Sequence, residues 1–260
     1  MKKSLLYALV LISFSFNELT AQASTPEKYR SVFVGIGPRI LDATPGVINT
    51  YYVDSSPAQD DISSLTEVAE SYTNLGFQIG YKFGKYNGLS HNILVDLSLG
   101  EHSGGLVTYS LGYNFVLKQG ENPSLLRASL FTGFGNYGFD VGQLENNTGF
   151  IEINDIQFTD AELDVDLNSQ FFVYGPQIDF SYAINDKFDI FFSANYDIAS
   201  DNSRPTIDFT SETGSSTSID LEEGQLNPSI TFEGEEIESL PYEASGLRFT
   251  LGASYIWKWY

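Results

Sequence analysis

The chain has 260 residues, no cysteine, and a formal net charge of −21 that arises from 34 acidic and 13 basic residues. The lack of cysteine excludes disulfides, thiolate metal sites and cysteine nucleophiles. The acidic balance disfavours nucleic acid as a partner, because phosphate binding needs clustered Lys and Arg.

The N-terminus has the features of a secretory signal peptide. Lys2 and Lys3 precede an apolar stretch from Leu5 to Phe16, and Ala21-Gln22-Ala23 supplies the small residues of a cleavage site. We expect a signal peptide at 1–23 and a mature chain at 24–260. No later window approaches the roughly 18 continuous apolar residues of a spanning helix. The sequence therefore predicts export past the inner membrane.

Eight later segments alternate between apolar and polar residues with the period of a β-strand. Each is close to the roughly 9–11 residues that cross a bilayer at a tilt. In chain order they are 31–40, 72–83, 91–100, 106–117, 126–137, 170–183, 189–198 and 247–260. Pro176, inside the sixth segment, predicts a β-bulge. The pattern predicts an all-β protein, an integral membrane, antiparallel, up-and-down β-barrel of eight strands.

The last segment has the clearest pattern, because its two faces differ sharply. One face consists of Leu247, Phe249, Leu251, Ala253, Tyr255 and Trp257, and the other of Arg248, Thr250, Gly252 and Ser254. A strand that is apolar on one face and rich in aromatic residues near its end is typical of a bilayer-spanning barrel.

The connections between the segments differ in length and charge. Three are long, at about 41–71, 138–169 and 199–245, and Arg204 is their only basic residue. With both termini in the periplasm, these long links all fall on the extracellular side, as in bacterial outer-membrane barrels. Basic residues concentrate at the predicted periplasmic ends, namely Lys28, Arg30, Lys82, Lys85, Lys118, Lys187 and Lys258.

The acidic extracellular loops have two interpretations. They are either simply solvated, or they form a negative surface that repels anions and gathers cations. Segments 150–158 and 229–232 alternate like strands, so they could project above the membrane or cap the barrel. An extracellular protein or a cation is therefore a candidate partner of these loops.

With these features the chain resembles the small eight-stranded outer-membrane barrel proteins, the group that includes OmpX, OmpW and the OmpA membrane domain. Its aromatic-rich strands look most like the outer-membrane β-barrel domain family of the Bacteroidetes. The tail is similar to the C-terminal assembly signal of such proteins, at Thr250, Gly252, Tyr255, Trp257 and Tyr260. The resemblance implies recognition by the barrel-assembly machinery, residence among lipids of the bacterial cell outer membrane, and periplasmic termini.

The face opposite the apolar one carries the charges that would lie inside the barrel. They are Arg39, Lys82, Asp96, Arg127, Asp179, Asp197 and Arg248. We expect Arg39, Asp197 and Arg248 to meet near the outer rim, and Arg127 to meet Asp179 near the periplasmic end. Side chains just fill an eight-stranded barrel, and charges inside it must be paired or hydrated. The interior is thus either a salt-bridged plug or a narrow polar path.

Catalytic and metal motifs are nearly absent. His102-Ser103 resembles the His and Ser of outer-membrane lipid hydrolases. Neighbours on a strand face opposite ways, however, so His102 cannot activate Ser103 locally. Asp96 lies roughly 20 Å from His102 along the strand, too far to act with it. Asp164-x-Asp166-x-Asn168 begins like a calcium loop, but Ser169 and Gly175 replace its glycine and glutamate.

The sequence as a whole predicts a non-enzymatic barrel without a cofactor or a dedicated metal site. We expect a structural or surface-interaction role with an interior filled by side chains. The first alternative is a narrow porin-like channel for small polar or cationic solutes. The second is an outer-membrane lipid-modifying enzyme.

Overall fold

The computed structural model describes residues 28–43, 45–52, 62–68, 71–100, 102–119, 122–146, 149–153, 156–200, 206–220, 229–236 and 242–259. The predicted signal peptide and Tyr260 lie outside these residues. Within them, no helix is long and apolar enough to cross a membrane.

The described residues form strands joined by turns. In chain order the strands are β1 (Lys28–Ala43), β2 (Gly46–Tyr52), β3 (Ile62–Val68), β4 (Ser71–Lys85), β5 (Gly88–Leu99), β6 (His102–Lys118), β7 (Ser124–Glu145), β8 (Ile151–Ile153), β9 (Ile156–Phe158), β10 (Glu162–Ala183), β11 (Phe188–Ala199), β12 (Thr206–Ser211), β13 (Ser216–Asp220), β14 (Ser229–Phe232), β15 (Glu235–Glu236) and β16 (Tyr242–Trp259).

Eight of these strands close into an antiparallel barrel in the order β1, β4, β5, β6, β7, β10, β11 and β16, and β16 pairs back onto β1. Each of the eight predicted segments lies in one of them, apart from the terminal residues Gly100 and Tyr260 of two segments, which confirms the all-β, eight-stranded barrel. A circuit of directly paired residues that starts at Tyr29 returns to β1 at Arg39, through Gly84, Ser90, Gly112, Ser129, Gln177, Asn195 and Arg248. This stagger tilts the strands against the barrel axis.

The bulge predicted at Pro176 is wrong. Pro176 pairs with Leu130 of β7 in an uninterrupted register. The ladder between β10 and β11 omits Gly175 and Pro176 but resumes in the same register on either side. The irregularity of this pair lies higher, where Val165 and Asp166 oppose Gly142 and Asp140, and Gly142 has a positive φ of 112°. A glycine adopts this backbone conformation without the steric cost that other residues incur.

The predicted long links are largely β-structure where the structure describes them. β7 and β10 are each 22 residues long and continue past the barrel as a paired extension. The β12–β13 hairpin pairs with the upper part of β10, β8 pairs with β9, and β2 lies between β3 and β14. We call this part the projection: residues 139–145 and 162–169 with strands β2, β3, β8, β9 and β12 to β15.

The amphipathic pattern of residues 162–169 explains why a predicted loop forms a strand. Leu163, Val165 and Leu167 are fully buried, whereas the intervening Asp164 is exposed and Asp166 half-buried. The acidic residues that indicated a solvated loop occupy the solvent face of a strand whose other face is a core. Period-2 alternation is satisfied by acidic side chains as well as by neutral polar ones.

The outer surface of the barrel is apolar. Among its most exposed side chains are Phe134 at 70%, Leu130 at 67% and Leu251 at 62% relative exposure. The inward positions between them are polar or charged and are buried, as Asn92, Asp96 and Ser110 illustrate. The barrel is therefore polar inside and apolar outside.

Candidate functional site

An upper ion cluster fills the barrel interior towards the projection, and its residues are Arg39, Asp96, Asp197 and Arg248. Arg248 Nη2 lies 3.0 Å from Asp197 Oδ1, and Arg248 Nη1 lies 3.1 Å from Asp96 Oδ2. Arg39 pairs with the same Asp96 carboxylate and also donates to the Tyr137 hydroxyl. The structure therefore brings Arg39, Asp197 and Arg248 together near one end of the barrel.

Asp96 is the shared partner of this cluster. Arg39 and Arg248 lie directly opposite each other on β1 and β16, a placement in which like charges repel. Asp96 reaches both from β5, and Gln78 Nε2 donates to its Oδ2 over 2.6 Å. A carboxylate between two guanidinium groups removes the repulsion. Gly76 faces the same space, where an added Cβ would lie 3.0 Å from Arg39 Nε.

A lower ion cluster lies nearer the short turns and is organised by Arg127. Its Nη1 lies 3.0 Å from Asp179 Oδ2, and the two residues are directly paired in the register of β7 and β10. The remaining guanidinium donors reach hydroxyl groups on three strands: Ser90 at 2.9 Å, Ser110 at 2.9 Å and Ser129 at 3.0 Å. Arg127 thus crosslinks four neighbouring strands and leaves little of its hydrogen-bonding capacity unused.

Lys82 is the second cation of the lower cluster and is held by aromatic rings. Its Nζ lies 4.8 Å from the centre of the Phe33 ring and 4.4 Å from that of Phe191. Electrostatic attraction also acts between Lys82 and the carboxylates of Asp179 and Asp189. Cation–π contacts of this length are attractive, and more so when the cation is desolvated.

Each cluster contains two cations and two carboxylates, so each is close to neutral. Polar but uncharged side chains occupy other buried positions inside the barrel, among them Asn92, Ser193, Asn195 and Thr250. Gln177 extends the hydrogen bonds upward, since its Nε2 donates to Asp179 and to Ser193. Paired and hydrogen-bonded charges offset the desolvation cost of burying ionised groups inside a narrow barrel.

An apolar layer lies above the upper cluster and continues into the projection. At the barrel mouth it consists of Leu41, Tyr72, Leu106, Tyr137, Phe171, Val173 and Ala244. In the projection the same cluster includes Ile48, Val141, Leu144, Ile151, Phe158, Leu163, Val165, Leu167, Ile207 and Phe209. We call this cluster the apolar cap. The apolar cap therefore lies between the ion clusters and the far end of the molecule.

The outside of the barrel carries an apolar band. On β4 it runs from Phe83 to Leu75, roughly 20 Å along the axis at the usual strand tilt. Exposed basic residues such as Lys85 lie at its lower edge, and polar residues such as Thr73 lie at its upper edge. His91 is a polar exception inside the band. Its Nδ1 lies 2.6 Å from the Tyr109 hydroxyl, and its ring stacks on Phe83 at 4.8 Å.

The residues of the predicted assembly signal divide between the two faces of β16. Thr250 is buried inside, and Gly252 lies where an added Cβ would be 2.5 Å from the Phe191 ring. Trp257 is outside and exposed, and its ring contacts that of Tyr255 at 4.7 Å. Recognition of this strand by an assembly machinery stays a prediction.

The solvent face of the projection carries an aspartate ladder, formed by Asp140, Asp166 and Asp208. These residues are directly opposite on β7, β10 and β12. Partial burial and the neighbouring carboxylates of Asp140, Asp164 and Asp208 raise the pKa of Asp166 to about 6. Neutral donors relieve part of the repulsion, because Asn168 Nδ2 bonds to Asp208 over 2.6 Å and Gln143 Nε2 to Asp164 over 2.9 Å.

The sequence features that resembled chemical sites do not assemble into one. Asp164, Asp166 and Asn168 lie along an extended strand, whereas a calcium loop must curve around its ion. Among the described residues, no group of three or more His, Asp or Glu side chains could hold a metal ion. Asp96 is engaged by two arginines, and the side chain of His102 lies outside what the structure describes.

The sequence pattern predicts all the charged residues of both clusters except Asp189, and it does not predict their neutral partners. Tyr137, Gln78 and the three serines around Arg127 were not singled out, although each lies at an inward position. The sequence predicts that Asp96 lies inside but not which cations it meets, because Arg39 and Arg248 lie on strands that do not pair with β5. Strand periodicity gives the face on which a residue lies but not the residue it meets across the barrel.

The fold and the site together define the class of molecule as a closed, eight-stranded antiparallel β-barrel with a β-structured projection. No protein-family model matches the chain, and no curated protein matches it either.

Proposed function

We propose that this protein is an integral barrel of a bacterial outer membrane. On this proposal it has periplasmic termini, a closed interior, and a projection that serves a structural or surface-interaction role outside the cell. The observation that carries the proposal is the inverted polarity of the barrel. A soluble protein rarely exposes a contiguous apolar surface of more than a few hundred Å². A band of apolar, outward-facing side chains with a basic lower edge and a polar upper edge suits a lipid bilayer.

Two features support a closed interior over the narrow channel. The ion clusters pair opposite charges inside the barrel, so the described residues present no row of like charges for an ion to follow. The apolar cap then covers Arg39 and Arg248 on the side of the projection. A hydrophobic constriction of this kind opposes the passage of ions because they would have to lose their water.

Membrane insertion is tested by fractionation of cells that express the full chain. We expect the protein to stay with the outer membrane after alkaline carbonate extraction and to migrate differently in detergent before and after heating. Release into the soluble fraction without detergent would contradict the proposal.

Conductance and lipid turnover then separate the three functions. In planar bilayers we expect the purified protein to give no current above that of the lipid alone. A reproducible single-channel current would replace the closed barrel by the narrow channel. Phospholipid hydrolysis in liposomes that disappears in His102→Ala would favour the enzyme instead.

A further inference from the structure

A basic patch lies on the outer surface at the end of the barrel that carries the short turns. It consists of Lys28 and Arg30 on β1, Lys85 on β4 and Lys187 in the turn before β11, and all four side chains are exposed. The elements are neighbours, because β1 pairs with β4 and β16, and β16 pairs with β11. The main-chain N–H of Ile256 on β16 also donates to the Lys187 carbonyl over 2.7 Å.

Two of these cations oppose each other directly. Lys28 and Lys85 are paired in the register of β1 and β4, and both side chains point outward. Such pairs hold their Cβ atoms about 5 Å apart, and like charges in this position are destabilising. The nearest outward positions on the described parts of these two strands carry Arg30, Val32, Phe83 and Tyr81, none of which is a carboxylate. An anion that contacts both ammonium groups would remove the repulsion.

The patch borders the apolar band through aromatic residues. Arg30 is directly paired with Phe83 on one side and Trp257 on the other. The rings of Phe188 and Tyr255 follow at 5.2 Å, which continues an aromatic edge onto β11. Aromatic residues with cations beside them mark the headgroup level of a bilayer.

We propose that the basic patch binds the headgroup of an anionic phospholipid, with its phosphate between Lys28 and Lys85. The inference rests on the proposed membrane location and adds a specific lipid partner in the periplasm-facing leaflet. A phospholipid fits better than a free anion because the patch continues into exposed apolar surface at Val32, where acyl chains would lie. A cation near a membrane surface gains roughly a fivefold preference for anionic lipid.

Tryptophan quenching tests the proposal, because both tryptophans of the chain, Trp257 and Trp259, lie near the patch end of β16. The full protein is reconstituted into phosphatidylcholine vesicles that contain either brominated phosphatidylglycerol or brominated phosphatidylcholine. We expect the protein to bind phosphatidylglycerol about tenfold more strongly than phosphatidylcholine, which is a relative binding constant of about 10. In the double variant Lys28→Gln/Lys85→Gln it should fall at least fivefold.

Lys118→Gln is the matched control, since Lys118 lies at the same end of the barrel on β6, away from the patch. It should keep the preference, as should Lys28→Arg/Lys85→Arg. Equal quenching by the two lipids in the wild-type protein would overturn the inference. So would a preference that persists in about 1 M salt, a test that needs no variant. Loss of the preference on adding inorganic phosphate would point to a free anion site. Vesicle flotation comes first, because a protein that does not insert contradicts the proposed function itself.

Discussion

The barrel and the projection have opposite polarities although they share strands. The barrel buries charges and exposes leucine, phenylalanine and isoleucine, whereas the projection buries these apolar residues and exposes aspartate. β10 passes through both regions. Below, its inward face carries Asp179 and its outward face Phe180; above, its inward face carries Val165 and its outward face Asp166.

The exchange of faces along one strand indicates where the surroundings change. On β10 the outward face changes from apolar Phe172 to polar Gln170, and on β7 from Phe134 to Asn136. A strand that packed on one core and faced water along its whole length would keep its apolar residues on the same face. In both regions the face towards the less polar surroundings is apolar. In the projection these surroundings are its own core, and around the barrel they are the lipid of the proposed membrane location.

The largest expected effect is on the barrel, from Asp96→Ala. This change leaves Arg39 and Arg248 opposite each other without their shared carboxylate, which should cost about 3–5 kcal/mol of unfolding free energy. Urea unfolding in detergent measures it. Asp164→Ala, the same change on the exposed face of the projection, should shift stability by less than about 0.5 kcal/mol. Equal effects of the two variants would contradict the buried cluster.

Arg248→Ala should also destabilise the barrel, by about 3 kcal/mol, because Asp197 loses its ion pair in the interior. The variant should nevertheless pass no more current than the wild type in planar bilayers, since the apolar cap still covers the opened space. A new conductance would show that the ion cluster, rather than the cap, closes the barrel.

In the projection, Leu167→Ala should cost about 2–3 kcal/mol, since Leu167 is fully buried in the apolar cap. We expect faster proteolysis of the projection in intact outer membranes, while the heat-dependent migration of the barrel stays unchanged. Gln170→Ala on the solvent face of the same strand is the control and should behave like the wild type. Loss of the whole barrel in Leu167→Ala would mean that the two regions unfold as one.

The aspartate ladder should make the projection more stable in acid. The pKa of Asp166, raised to about 6 in the folded state, lies above its ordinary value of 3.8. The folded state therefore binds the proton more tightly, so stability is fully present below pH 4 and falls as the pH rises through 6. For a half-buried group we expect about 1 kcal/mol. Hydrogen exchange of β10 and β12 measures the difference, and Asp166→Asn should remove the pH dependence.

The smallest effect should come from the polar exception on the outside of the barrel. Tyr109→Phe removes the hydroxyl that bonds to His91, and pairs of this kind in lipid contribute about 0.6 kcal/mol. Differential scanning calorimetry in lipid nanodiscs would measure it. Tyr113→Phe, on the same face of β6, is the control. No difference between the two variants would indicate that His91 finds another partner in the bilayer.

Much of the barrel could be predicted from the sequence, and so could the projection strands within 150–158 and 229–232. The rest of the projection could not. The barrel strands alternate aromatic and aliphatic residues with serine, asparagine and glycine, which is a pattern with one clear interpretation. In the projection, Leu163, Val165 and Leu167 alternate with acidic residues. These acidic residues indicate a solvated loop, although the alternation itself has the period of a β-strand. The same alternation at Ile207 and Phe209 falls between many serines and threonines, so it was hidden among residues typical of loops.

The sequence by itself determined which face of each barrel strand each side chain occupies, because strand periodicity is a local property of the backbone. It also determined which neighbours meet, as for Arg127 and Asp179. Only the tertiary structure decided that Asp96 joins Arg39 to Arg248, and that a core covers them. Contacts across a lumen depend on the stagger and closure of all eight strands, which no single segment specifies.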